Sequence, residues 1–371
     1  MRAEFLLDSD VVFLNHGSFG ACPRPVFERY QQWQRELERQ PVEFLARRLP
    51  DLLASARRAL GDYVGADADD LFFVPNATSG VNVAARAVEL RPGDEVLGTN
   101  LEYGACDLLW EHVCAKSGAT YVRAGVELPV RRGGDVVDAL FARAAERTRV
   151  VFVSHLTSET ALVLPIGEIV ARARDLGLTT IVDGAHAPAH VPVDLDALGA
   201  DFYAGNCHKW MCAPKGAGFL HVRPELQEEV DGLIVSWGYG GEATFLTRSE
   251  RQGTRDPSAY LTVPTAIEWL EANDWPAVQS RCRELTRGAR GRLCGLEGIE
   301  PIADEALIAQ MASVRVPVDD ADALQKRLYN ERRIEVPVFA RKTEPLLRYS
   351  VAAYTEERDL EALADALTEL L

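Results

Sequence analysis

Seven short apolar runs dominate the middle of the chain: LFFVP (71–75), EVLGT (95–99), ATYVRA (119–124), RVVFVSH (149–155), TTIVD (179–183), DFYAG (201–205) and GAGFLHV (216–222). They lack the apolar–polar alternation of a half-solvated strand, so each is expected to be buried on both faces. Segments of helical period with acceptable caps, such as Thr78 to Leu90 and Pro165 to Leu176, lie between them. Repeated strand–helix units with doubly buried strands predict an α/β fold, with a mostly parallel central sheet covered by helices.

Before this region, Arg24 to Tyr63 is charged and helical in period, with Leu49, Leu52, Leu53, Ala56 and Leu60 at spacings that suit one face. Interruptions are expected near Pro41 and Pro50. The sheet is expected to end near residue 225, and a long helical stretch begins near Val263. It leads into a smaller α+β part with strands near SVRVPV (313–318), IEVPVF (334–339) and LLRYSV (346–351), closed by an amphipathic helix over 356–371. With 371 residues and 47% hydrophobic content, two domains are expected: a large one over 16–262 and a small one made of 1–15 with 263–371.

Charge narrows the choice of partner. A formal net charge of −16 and a pI near 5.0 would repel nucleic acid and anionic membranes before any specific contact formed, so a small molecule is expected instead. No basic leader with a long apolar core opens the chain, and no apolar run reaches the length of a membrane span, which gives the expectation of a soluble, cytoplasmic protein. The seven Cys, odd in number and without a C-x-x-C pair, fit a reducing compartment.

Ligands of open parallel sheets collect beyond the carboxyl ends of the strands, and four such places carry chemistry. Behind LFFVP, Asn76-Ala77-Thr78-Ser79-Gly80 opens a helix. It is either an ordinary N-cap or an anion site, in which free N–H groups and the helix dipole hold a phosphate. Asp183 ends TTIVD, where a buried carboxylate needs a positive partner such as a protonated ring nitrogen. His186 and His190 beside it could suggest a metal, but Pro188 between them breaks the helical geometry that would set both on one face, so none is expected. Lys209 follows DFYAG in the stretch GNCHKWMCAPKG, which holds two of the chain's five lysines. It is either a solvated loop charge or a partly desolvated Schiff-base nucleophile of lowered pKa, while Lys215 reads as a turn residue. Arg348, alone in an apolar run, is either paired with an internal acid or aimed at a carboxylate ligand.

A phosphate site, a carboxylate for a ring nitrogen, a lysine for an aldehyde and an arginine for an amino acid together fit pyridoxal 5′-phosphate. At these residues the chain resembles the fold-type I pyridoxal-phosphate enzymes of the class V aminotransferase family, most closely their isopenicillin N epimerase-like branch. The resemblance covers nearly the whole chain in the family's order, through FLNHGSFGACP, VDGAHAP, DFYAGNCHKW, CAPKGAGFL, RQGTRDPSA, IEVPV and LLRYSVAAY. It implies the fold-type I architecture, with Lys209 bonded to the cofactor aldehyde, Asp183 on the pyridine nitrogen and His186 near the phenolic oxygen as the catalytic set. It also implies Ala77, Thr78, Ser79, Asn206 and His208 around the phosphate, Tyr103 stacked on the ring, and Thr157 or Ser158 as a polar cofactor contact. Thr254 matches a residue that the second subunit lends to the phosphate, which implies a homodimer with shared sites. Arg348 matches the substrate-carboxylate arginine, and Asn15, His16, Gly17, Tyr239 and Arg255 are expected to border the substrate.

The implied activity lies at Cα of an amino acid or amino-acid conjugate, through an external aldimine and a carbanion, and is epimerase-like. β-Elimination at a C–S bond and transamination are the alternatives. Epimerisation needs a proton donor on the face opposite Lys209, for which Tyr239, His16 and Tyr103 are candidates. Related cysteine desulfurases carry a nucleophilic Cys on a mobile loop before the final arginine strand. RRIEVPVFARKTEPLLR (332–348) has none, so persulfide-forming desulfuration is not expected. The remaining reading is a non-catalytic protein that binds pyridoxal phosphate or an amino acid, and intact Lys209 and Asp183 speak against it.

Overall fold

The computed structural model describes residues 1–341 and 344–371; Lys342 and Thr343, inside the stretch that lacks a Cys, lie outside the described residues. All seven apolar runs enter one seven-stranded sheet: β1 (Leu71–Val74), β2 (Glu95–Thr99), β3 (Thr120–Ala124), β4 (Thr148–Ser154), β5 (Thr179–Gly184), β6 (Phe202–Asn206) and β7 (Gly218–Val222). Their spatial order is β1-β7-β6-β5-β4-β2-β3. Neighbours are parallel except around β7, which runs antiparallel to both β1 and β6.

Successive residues of one strand enter two different apolar clusters, as strand geometry requires. Leu71, Phe73, Val151, Val153, Val182 and Tyr203 pack on one side, and Phe72, Val74, Val150, Phe152, Ile181 and Phe202 on the other. A buried side chain of this size contributes about 1.5–3 kcal/mol over its exposed state, so neither face can be left open to water. ATYVRA departs from the expectation of double burial: Thr120 and Arg123 are exposed, because β3 is the edge strand and pairs only with β2.

The amino-terminal helical stretch divides into α1 (Arg24–Arg39) and α2 (Leu49–Val64), joined by a wider helical turn at Glu43–Arg48. Pro50 does not break a helix but sits in the first turn of α2, where its missing N–H costs nothing. α2 stops at Gly65, whose φ of 66° is the left-handed cap that glycine supplies without strain. The helices α3 (Ala77–Ala87) and α4 (Gly104–Ser117) follow β1 and β2.

At the carboxyl-terminal end, α5 (Val263–Ala272) and α6 (Trp275–Leu293) lead to a second, four-stranded sheet. Its strands are β8 (Glu300–Pro301), β9 (Met311–Arg315), β10 (Val338–Phe339) and β11 (Leu346–Ser350), antiparallel in the order β10-β11-β9-β8. Helix α7 (Glu357–Leu370) closes the chain. The amino-terminal pair Val12–Phe13 runs parallel to Ile334–Glu335, so the segment that begins at Asn15 starts beside this second sheet and ends against the first. No described helix is long and apolar enough to cross a membrane.

Candidate active site

The connection from β6 to β7 carries Lys209 to the end of the sheet where β4 delivers Ser154, β5 delivers Asp183 and β6 delivers Asn206. Parallel register sets Ser154 beside Asp183. With the first turn of α3, these groups line a cavity of about 310 Å³ that also includes Gly17, Tyr103, His186, His208 and Arg348.

The α3 terminus is an N-cap in the structure, with one N–H left over. Asn76 caps the helix, its side-chain oxygen accepting the N–H and the hydroxyl of Ser79 at 2.9 and 3.2 Å. Asn206 Oδ1 accepts the Ala77 N–H at 2.8 Å. The Thr78 N–H has no acceptor among the described residues, and it sits at the positive end of the helix dipole in the cavity wall. His208 donates from Nδ1 to the Ala217 carbonyl at 2.8 Å, which leaves its Nε2 as the ring nitrogen without a backbone partner. Burial pushes the His208 imidazolium down to about 4, so the ring is neutral near pH 7.

Asp183 is buried without an ion pair among the described residues. Oδ1 accepts the Ala185 N–H at 2.9 Å, and Oδ2 has only the weak thiol donor of Cys106 at 3.6 Å. Desolvation therefore raises its pKa, and a cationic N–H arriving in the cavity would lower it again. Glu102 lies close behind. It accepts from the Thr99 hydroxyl at 2.6 Å and from both the N–H and the hydroxyl of Ser154 at 2.7 Å, and burial pushes its carboxyl up to about 7.

The Lys209 amine meets His186 Nε2 at 3.1 Å. Burial and the Arg348 charge push the Lys209 ammonium down to about 7, with Asp183 opposing them. The amine lies in the cavity wall beside His186, and its lowered pKa favours the neutral, nucleophilic form. His186 is buried and its pKa falls well below the usual range, again by desolvation first and the Lys209 charge second.

Arg348 stands on β11 with its guanidinium buried and no carboxylate in ion-pair range among the described residues. It donates to the Ser158 carbonyl at 2.7 Å, the Ser18 hydroxyl at 3.0 Å and Asn15 Oδ1 at 3.3 Å, while its Nε has no partner. Burial lowers its pKa to about 10, with Glu159 the opposing charge. Leaving a cation buried among neutral acceptors costs several kcal/mol, which an incoming carboxylate would return. Phe339 lies under this guanidinium at 5.2 Å.

Of the residues expected from sequence, the cavity wall unites Gly17, Ala77, Thr78, Tyr103, Ser158, Asp183, His186, Asn206, His208, Lys209 and Arg348. Ser79 is turned into the cap. Thr157 is buried in its own loop, bonded to Thr160 and to the Leu162 N–H. Asn15 and His16 stand behind the wall, Asn15 on Arg348 and His16 on the Lys209 carbonyl at 3.0 Å. Thr254 and Arg255 line a second cavity of about 610 Å³ with Trp237, Leu49 and Tyr260. Tyr239 belongs to neither cavity; its hydroxyl is held by the Gly232 N–H and Asp231. Lys215 donates to the Gly20 carbonyl at 3.0 Å, a structural tie. His190 is committed to backbone on both ring nitrogens, and no cluster of three metal-ligating side chains occurs among the described residues.

Sequence reasoning missed Ser18, Glu102, Ser154 and Phe339. Only Glu102 left a trace, as a carboxylate wedged between apolar Leu101 and Tyr103 just past β2. The others depend on contacts between distant parts of the chain.

The family model for aminotransferase class-V matches residues 18–363. The chain is 40% identical to an isopenicillin N epimerase of Amycolatopsis lactamdurans, over 100% of this chain and 97% of that one. It is 29% identical to a putative L-cysteine desulfhydrase of Oryza sativa subsp. japonica, over 100% of this chain and 86% of the relative. Among solved structures, a mutant of the cystine C–S lyase C-DES, with glycine covalently linked to its pyridoxal-phosphate cofactor, superposes with a TM-score of 0.86 at 23% identity, over 100% of this chain and 99% of that one.

Proposed function

The chain belongs to the aminotransferase class-V family, and from that premise we propose that it is a pyridoxal-phosphate enzyme acting at Cα of an amino acid or amino-acid conjugate, with an epimerase-like outcome. One observation carries the reading. A neutral-prone lysine, a buried carboxylate without a cation, a helix terminus with a spare N–H and a buried arginine without an acid open into one cavity.

The donor set fits the cofactor. Thr78 with its free N–H, Asn206 and His208 would hold the phosphate, Asp183 the pyridine nitrogen and Tyr103 the ring face. When bound, the cofactor supplies an aldehyde for amines and an electron sink that acidifies the substrate Cα–H. Lys209 Nζ would hold that aldehyde and, as a neutral amine free of it, would be the base placed to take the Cα proton. A negative Asp183 would favour a protonated ring nitrogen there, an attraction that its buried position makes stronger than in water. Arg348 fixes the substrate carboxylate and so sets which substituent at Cα faces Lys209.

Inversion requires a proton on the side away from Lys209. Of the three candidates, Tyr103 is the one in the cavity wall, while the His16 ring is committed to Tyr354 and the Lys209 carbonyl. Tyr103 is therefore the proposed donor. A homodimer belongs to the same proposal. Trp237 and Val235, 87% and 77% exposed, stand by the second cavity that holds Thr254, a surface suited to a second copy that would bring Thr254 to the partner's phosphate site.

The experiment is turnover in D₂O with a panel of L- and D-amino acids and cysteine conjugates, beside a visible-absorbance scan and a Lys209→Ala control. Deuterium at Cα with loss of optical purity supports the epimerase-like reading. Release of a keto acid and a thiol would replace it with a C–S lyase. Protein that stays colourless with added pyridoxal phosphate would sink the cofactor assignment.

A further inference from the structure

We propose that Trp210 is a positioning residue whose indole N–H fixes the tautomer of His186, and through it the hydrogen bond that His186 offers to Lys209. The Trp210 indole donates to His186 Nδ1 at 3.3 Å, and the opposite ring nitrogen, Nε2, lies 3.1 Å from Lys209 Nζ. A neutral imidazole has one proton. If Nδ1 accepts from the indole, that proton is on Nε2, and Nε2–H is a donor aimed at the lysine. Only the free amine can accept it, since an ammonium would set two donors against each other. The pair thus favours neutral Lys209, the form that attacks an aldehyde.

Trp210 cannot easily turn away. Its ring is 1% exposed and stacks on His190 at 3.8 Å with an interplanar angle of 25°, with His16 tilted against it at 4.9 Å. His190 is itself fixed, donating from Nδ1 to the His186 carbonyl at 3.0 Å and accepting the Gln310 N–H at Nε2 at 2.9 Å. The stretch from 207 to 217 therefore supplies both the nucleophile and, one residue on, the group that orders its neighbour.

Other groups act on the same amine: Arg348 from β11, Asp183 from β5 and Cys106 from α4, with His16 and His190 near the His186 ring. Trp210→Phe removes the indole N–H together with part of the ring that His190 and His16 pack against, so the His186 tautomer, and not activity, is the readout that reports the N–H. The tautomer assignment stands on this chain's residues alone; its bearing on catalysis rests on the reading proposed above.

The test is ¹⁵N NMR of histidine-labelled full-length protein freed of cofactor, with the His186 signals assigned by their loss in His186→Gln. Wild-type protein should show His186 protonated at Nε2 and unprotonated at Nδ1. In Trp210→Phe the proton should move wholly or partly to Nδ1, which turns Nε2 into an acceptor for the lysine ammonium. The pH midpoint for uptake of pyridoxal phosphate should then rise toward the ordinary lysine range. A wild-type His186 protonated at Nδ1 overturns the inference even if the variant does not fold, and so does an unchanged tautomer in a folded Trp210→Phe. The expected tautomers without uptake of pyridoxal phosphate at any pH would uphold the Trp210 role and remove the proposed function instead.

Discussion

His16 Nε2 donates to the carbonyl of Lys209 at 3.0 Å, across 193 residues of chain. A carbonyl can only accept, so the neutral ring keeps its other nitrogen for the Tyr354 hydroxyl, 3.1 Å away. Burial pushes the His16 imidazolium down to about 3, so the arrangement persists across the neutral range. The Lys209 backbone is thus held by the amino-terminal segment that also supplies Asn15 and Ser18 to Arg348. One short segment couples the spacing of the amine and the guanidinium.

That coupling depends on Gly20. Its φ of 70° and ψ of 171° belong to a region that side chains scarcely enter, and a Cβ there would lie 2.0 Å from the His208 carbonyl oxygen. Gly20→Ala is expected to cost about 1–3 kcal/mol in backbone strain alone and to displace the Lys209 loop. Denaturant unfolding should show the lost stability, and equilibrium titration with pyridoxal phosphate should show weaker binding.

Lys209 makes stability depend on pH. Its folded-state pKa of about 7 lies below the ordinary 10.5, so between these values the unfolded chain binds more protons than the folded one. Stability of the cofactor-free protein should rise with pH across that window and lose this dependence below it. Lys209→Met should flatten the slope and be more stable below pH 7, by on the order of a few kcal/mol. Urea unfolding midpoints at pH 6, below the window, and at pH 8 and 9.5, inside it, would check the sign.

Arg348 separates function from stability. Its buried charge lacks an acid, so Arg348→Met, close in volume, should leave the unfolding free energy unchanged or raise it by about 1–4 kcal/mol. With the charge-assisted bonds to a substrate carboxylate gone, kcat/KM should fall roughly 10- to 100-fold or more, on about 1.5–3 kcal/mol per bond. Uptake of pyridoxal phosphate should survive, as Arg348 is placed on the substrate and not on the cofactor.

For Asp183, the charge and not the shape is the claim. Asp183→Asn keeps the size and the bond from the Ala185 N–H but cannot hold a ring nitrogen protonated. Colour should persist while kcat falls about 100-fold or more, the scale on which removing one buried electrostatic contact slows a reaction. A variant that retains full turnover would remove Asp183 from the proposed mechanism.

Local sequence determined the sheet, because residues buried on both faces must be apolar at every position of a strand, and that pattern is visible without any partner. It also marked the strand ends around which the cavity forms, since Asp183, Asn206 and the Asn76–Ser79 turn stand at the ends of such strands. The position of β3 at the edge was decided by strand order, which no local period records. Tertiary packing alone brought Arg348 over Ser18, set Glu102 against Ser154 and turned the Trp210 indole to His186. These contacts are short-ranged, while the residues that make them are separated by up to hundreds of positions, so they exist only once the two sheets and the amino-terminal segment are in place.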